Sequence, residues 1–146
     1  MSQKLLFHPE TGQTCFGVIP EKNTKRFVIP AGDIRLPVGK HRGPHRGYGA
    51  KHIWVEHKKE MMQAGFGTWE EVPNYVTTIL KVGTPIFYEG GSFKHSRVMA
   101  VRSSAGTCIL ELKEQRDKNI WSIVTAFSGT KPHGVKVGNI QKCATP

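Results

Sequence analysis

The run NIWSIVTAF, residues 119–127, decides how this chain folds. It is rich in β-branched and aromatic residues, and it is apolar at both parities of a pleated strand. A strand with one face in water alternates apolar and polar side chains, whereas one that is apolar on both faces lies inside a sheet. The run therefore predicts a central strand covered on one face by a helix. Counting by twos places Trp121, Ile123, Thr125 and Phe127 on a common face.

The neighbouring segments supply a sheet for that strand. Residues 97–102 and 107–112 are apolar runs joined by Ser103, Ser104, Ala105 and Gly106, which reads as a hairpin. Residues 85–89 form another run, ended by Gly90 and Gly91. A polar turn over 113–118 leads into the central strand. Upstream, 50–62 has the apolar spacing of a helix, with Ile53, Trp54, Met61 and Met62 opposed by Glu56, Lys58, Lys59 and Glu60; Gly65 and Gly67 stop it. A second short helix begins near residue 68 and is interrupted by Pro73. Residues 75–80 fit helix or strand equally.

The ends read differently. Residues 4–7 and 14–19 flank the turn HPETG at 8–12, and the triplet at 27–29 is cut off by Pro30. Residues 128–146 are rich in Gly, Lys and Thr and read as irregular. The expected architecture is α+β: a helix packed on a roughly four-stranded antiparallel sheet, with an N-terminal β-hairpin arm. The arm spans 1–36 and the α+β domain 37–146, in one compact domain overall. A length of 146 residues suits one domain with a real core.

Charge narrows the function. Twenty-one Lys and Arg against eleven Asp and Glu leave a formal +10, and seven histidines can add to it below neutral pH. That balance favours a polyanion, of which nucleic acid is the commonest. No run reaches the roughly 18–20 apolar residues of a membrane span, and residues 1–7 are not those of a signal peptide. Three cysteines, Cys15, Cys108 and Cys143, with no C-x-x-C, argue against a disulfide framework and a zinc ribbon. Cys108, in an apolar run, reads as a small buried residue.

The chemistry concentrates in RGPHRGYGAKHIWVEHKKE, residues 42–60. Gly39, Gly43, Gly47, Gly49 and Pro44 predict a loop over 39–49, carrying Lys40, His41, Arg42, His45 and Arg46. A flexible basic loop can bring N–H groups and cationic side chains to a phosphate together. On the helix that follows, His52 and Glu56 are four apart and share a face. His57 lies five positions from His52, about 500° around the helix, so the two imidazoles diverge by roughly 140°. H-x-x-x-x-H does not place two metal ligands on one face, and no metal or cofactor is expected. No G-x-S-x-G, P-loop or dinucleotide fingerprint occurs. RNA cleavage through the ribose 2′-OH needs a base, an acid and groups that steady the phosphorane. Histidine suits both proton roles, and Lys, Arg, Ser and Thr suit the third.

GKHRGPHRGYGAKHIWVEH at 39–57, PIFYEGG at 85–91, CILEL at 108–112 and NIWSIVTAF at 119–127 together resemble the metal-independent ribonuclease superfamily that groups barnase, EndoU, colicin D-type and RelE-like toxins, and within it the phage-associated branch. The resemblance spans residues 36–127. It rests on the pattern G-x-G-x-x-H-I-x-x-x-H from Gly47 to His57, followed by the late I-V-T-A-F strand. It implies a helix on a four-stranded antiparallel sheet, with catalytic groups on the helix and a hydroxyl on the last strand. On this chain those are His52, as general base or acid, His57 as the second helix candidate, and Thr125 holding the scissile phosphate. Lys94, His95, Arg97, Arg102 and Lys131 compete for the remaining role, with Lys94 and Arg97 first. Ordinary structural roles stand beside these: His57 packing at the helix–sheet interface, Thr125 as a plain strand threonine, Trp54 as core.

The function expected is a metal-independent endoribonuclease, a toxin or phage effector, cutting RNA by 2′-OH attack to leave a cyclic phosphate. The alternative is a non-catalytic nucleic-acid-binding or host-enzyme-interacting protein on the same fold. RNA, with tRNA among the candidates, is the expected partner. An acidic immunity or antitoxin protein is a further one, no membrane is involved, and the cytoplasm is the expected site of action.

Overall fold

Among the described residues strand outnumbers helix two to one, 42% against 21%, and the short strands that make up the excess come from segments rich in glycine and proline. The computed structural model describes residues 4–25, 28–44, 46–88, 99–115, 117–130 and 134–144. In chain order the elements are β1 (Val18–Ile19), β2 (Lys22–Asn23), β3 (Val28–Ile29), β4 (Gly32–Arg35), β5 (Lys40–Gly43), β6 (Arg46–Tyr48) and α1 (Gly49–Gln63). A 3-10 turn (Trp69–Glu71), α2 (Val72–Ile79), β7 (Pro85–Tyr88), β8 (Met99–Ser103), β9 (Gly106–Glu114), β10 (Asn119–Phe127) and β11 (Val135–Asn139) complete them.

The sheet corrects the expected architecture. It has seven strands in the order β1-β4-β10-β9-β8-β7-β11, not four. β7 to β10 run antiparallel in sequence. β4 then adds to the far side of β10 in parallel, pairing Asp33, Ile34 and Arg35 with Ile120, Trp121 and Ser122. β1 and β11 extend the two edges. Those edges nearly meet, because Val18 and Gln141 exchange both backbone hydrogen bonds, at 3.0 and 2.9 Å. The result is a nearly closed, barrel-like sheet. Residues 1–36 are thus not a separate hairpin arm: β1 and β4 belong to the main sheet, and only β2 and β3 pair as a two-stranded unit of their own. The tail is not irregular, since 135–139 is a strand. Each of these strands is two to five residues long, too short for period-two alternation to register.

A disulfide joins Cys15 to Cys143 across this seam, with Cα atoms 6.2 Å apart and 128 positions of sequence between them. The odd cysteine count concealed it: two cysteines pair, and Cys108 is the free, fully buried one, its thiol pushed up by burial.

α1 forms where the periodicity places it. Its first N–H groups find no side-chain cap; those of Ala50 and Lys51 donate to the carbonyls of Pro37 and Val38, each at 2.9 Å. It ends in a Schellman motif: Gly65, at φ +96°, donates to Met62 O and Phe66 donates to Met61 O. α2 buries Val72, Tyr75, Val76 and Ile79, one helical stripe, and Pro73 opens it instead of interrupting it. Both helices share a core with Cys108, Leu110, Leu112, Trp121, Ile123 and Ala126. Trp54 packs against that core while partly exposed.

β10 is the central strand, but it carries a bulge. Ile123 pairs with Leu110 and Thr125 with Ile109, so Val124 is the extra residue. The bulge breaks the count by twos. Trp121, Ile123 and Ala126 face the core. Thr125, opposite Ile109, turns to the face that carries Glu111, Lys113 and Ser122.

Candidate functional site

The segment read as a basic loop is a β-hairpin. β5 and β6 pair antiparallel, Lys40 with Tyr48 and His41 with Gly47. Extended backbone alternates its side chains, which sets His41 apart from its neighbours Lys40 and Arg42. Lys40, Arg42 and Arg46 are exposed, while His41 is half-buried. The hairpin stands against α1 and β10. Where it meets the outer face of the sheet a cleft opens, about 350 Å³ in volume, lined by Arg42, Arg46, Gly47 and Tyr48 from the hairpin and by Glu111, Lys113, Ser122 and Val124 from β9 and β10. Lys113 Nζ pairs with Glu111 at 2.8 Å. Among the described residues of the cleft the two arginines are the charge left over, which favours anions there.

Behind the hairpin stands an imidazole pair. His52 Nδ1 lies 3.1 Å from His41 Nδ1, and the rings are stacked, inclined 26° to each other with centroids 5.3 Å apart. One ring must donate and the other accept, so the two tautomers are linked. His52 is only 3% exposed. Gly47 makes this possible: a β-carbon there would sit 2.9 Å from His52 Nδ1 and 2.3 Å from the Lys40 carbonyl. Glycine thus lets the cleft wall approach the ring. Glu56 completes the group, one ligand-capable atom from each of His41, His52 and Glu56 lying within 4.8 Å of the others.

His57 belongs to a different cluster. α1 kinks at this residue, at φ −129° and ψ 22°, so the angle taken from a straight helix does not hold. Its Nδ1 meets Glu60 at 2.5 Å, and its ring tilts on Phe127. Glu60 also accepts from the Ser128 amide at 2.7 Å and from its hydroxyl at 2.6 Å. Burial disfavours the Glu60 carboxylate, but the bonds from Ser128 and His57 outweigh it and hold its carboxyl below the usual range. The cluster ties the second half of α1 to the end of β10. Close by, the Tyr75 phenol is pushed up to about 12, by burial first and by Glu60 and Cys108 after it.

Thr125 is on the cleft's side of the sheet, one same-face position beyond Ser122. Its hydroxyl is sealed from solvent and has no hydrogen-bond partner, so it is not bonded to His52, and neither residue lines the cleft. Among the other expected phosphate ligands, Arg42 and Arg46 are brought together in the cleft. His45, Lys94, His95, Arg97 and Lys131 lie outside the described residues. Arg102 stacks over Phe87, 5.1 Å from the ring centroid. Sequence reasoning missed Tyr48, Ser122 and the pairing of His41 with His52. The signal for Ser122 was present: it is the one hydroxyl on the outward parity of β10 ahead of the bulge.

No protein-family model, curated protein or solved structure matches this chain.

Proposed function

We propose that this chain is a metal-independent endoribonuclease, a toxin or phage effector, that cuts RNA by attack of a 2′-OH on the adjacent phosphodiester and leaves a cyclic phosphate. The observation that carries the reading is the hydrogen-bonded pair His41–His52, set behind the wall of a cleft with two arginines that meet no acidic partner among the described residues. A linked imidazole pair can take a proton at one ring while the other adjusts its tautomer, which is the traffic a 2′-OH nucleophile needs. Arg42 and Arg46 would hold the phosphate and offset the charge of the phosphorane. Ser122 and Tyr48 offer hydroxyls in the same cleft. Thr125 sits deeper on the same face and would engage the phosphate only if the bulge yields. His57 acts here by position, through Glu60.

The test is cleavage of a defined RNA in EDTA with analysis of the new ends. The reading expects a 2′,3′-cyclic phosphate and a loss of at least about 100-fold in rate for His52→Ala, general acid–base catalysis contributing typically that much. His52→Ala protein that folds and cleaves at the wild-type rate would refute it. Binding without cleavage would favour the second reading, a non-catalytic nucleic-acid-binding protein, which draws support from the 3% exposure of His52 and the sealed Thr125 hydroxyl. As a toxin acting in the cytoplasm, the chain calls for an acidic immunity protein that covers Arg42 and Arg46.

A further inference from the structure

His41, His52 and Glu56 have a second chemical capacity. Two imidazole nitrogens bound to one zinc ion, each about 2.0–2.1 Å from it, stand roughly 3.0–3.4 Å apart at coordination angles between about 95° and 110°. The Nδ1 atoms of His41 and His52 are 3.1 Å apart. His52 and Glu56 occupy positions i and i+4 of α1, ahead of its kink at His57, so they rise from one face. His41 arrives from a different element, β5, paired to the strand that holds Gly47. A helix face and a rigid hairpin fix a site better than three residues on a loop do. The ligand set, two neutral imidazoles and a carboxylate, suits zinc and its neighbours and not magnesium or calcium. His52 is buried and His41 and Glu56 half-buried, so the ligands are partly desolvated beforehand.

We propose that His41, His52 and Glu56 form a binding site for a divalent transition cation of the zinc class. The cation takes the place of the proton shared between the two Nδ1 atoms, that proton moving to Nε2 of the ring that carried it, and three protein ligands leave a further position for water. A metal on Nδ1 withdraws both rings from proton transfer, because the remaining Nε2–H of each is a far weaker acid than an imidazolium and no lone pair is left to act as base. Cation binding therefore switches the imidazole pair off. That consequence rests on the ribonuclease reading; the binding does not.

The experiment titrates untagged protein with Co²⁺, following the visible ligand-field bands, and then displaces Co²⁺ with Zn²⁺ in a calorimeter. Expected are the intense bands of a four- or five-coordinate ion, one equivalent bound, and affinity weakened about tenfold or more in Glu56→Gln and in His41→Gln, losses at least as large as those seen for outer partners of metal ligands. Glu56→Gln keeps shape and hydrogen-bonding capacity, so it remains informative if the histidine variant fails to fold. The weak spectrum of hydrated Co²⁺, or binding unchanged in both variants, overturns the site. RNA cleavage is measured in parallel, in EDTA and with added Zn²⁺. A ligand-dependent cobalt spectrum from protein that never cleaves RNA leaves the site standing and removes the ribonuclease reading. Cleavage in EDTA with no cobalt spectrum does the reverse.

Discussion

At the scale of single residues, charge and proton-carrying groups are sorted by exposure. Arg42 and Arg46 are exposed on the hairpin and meet no acidic partner among the described residues of the cleft, where Glu111 is taken by Lys113. A cation that contacts a phosphate adds to the salt dependence of binding, about 0.7–0.9 in the slope of log K against log salt per contact. If the chain binds RNA as proposed, Arg46→Ala is expected to weaken that binding across sequences and flatten the slope by about 1, measured by fluorescence anisotropy over a salt series. Glu60 carries the clearest pH signature. Its carboxyl is held below its unfolded value, so its contribution to stability is in place above the ordinary carboxylate range and disappears as pH falls through the folded value. Glu60→Gln is expected to lower stability near neutral pH and to make urea midpoints less sensitive to pH below about 5. Equal pH sensitivity in wild type and variant would show that the Ser128 and His57 bonds favour neither protonation state. Residue type alone gave the basic composition and singled out His52, but not the bond that joins it to His41. The direction of Thr125 was not legible, because one extra residue in a strand reverses every later side chain and nothing in S-I-V-T-A marks the bulge.

Elements show why the hairpin escaped a reading that found the helix. α1 repeats its apolar positions over fifteen residues and ends at Gly65, so period and stop signal agree. The hairpin has four glycines and a proline within 39–49, a composition that spells loop. Here glycine serves close approach instead. A β-carbon on Gly39 would meet Tyr48 O at 1.9 Å, and one on Gly49 would meet Pro37 O at 2.6 Å, so the strand, its return and the helix start are pressed together. Gly47, at φ +141°, joins them to His52. Gly47→Ala is expected to destabilise the fold by roughly 1–3 kcal/mol from backbone conformation alone. It should also displace His52, lowering any RNA cleavage well beyond what the lost stability explains at a temperature where the variant is folded. Thermal melts and cleavage rates on one preparation separate the two effects. A variant with wild-type melting and wild-type activity would mean that the hairpin gives way freely and does not set the imidazole pair.

For the molecule as a whole, closure is the property that no local pattern announced. The meander of β7 to β10 came from consecutive apolar runs, but the β4–β10 pairing joins segments some 90 residues apart, and the Val18–Gln141 bridge joins the two ends of the chain. Long-range pairings of two or three residues survive only where something reduces the entropy of bringing the ends together. The Cys15–Cys143 bond does this at the seam. In the loop-entropy account, a cross-link spanning 128 residues stabilises by about 5 kcal/mol. Disulfides persist in oxidising surroundings and are reduced in the cytosol. On the proposed reading of a toxin that passes from the one to the other, the staple would be kept outside and lost inside, so the stability of the reduced form would govern how long it lasts there. Reduction, or Cys143→Ser, is expected to lower unfolding free energy by up to about 5 kcal/mol. The amides of Val18 and Gln141, each donating to the other residue's carbonyl across the seam, should lose hydrogen-exchange protection before those of β9 and β10, which lie in the middle of the sheet. Protection lost evenly over all strands would show that the barrel opens only as one unit and that the bond sets global stability without acting on the seam in particular.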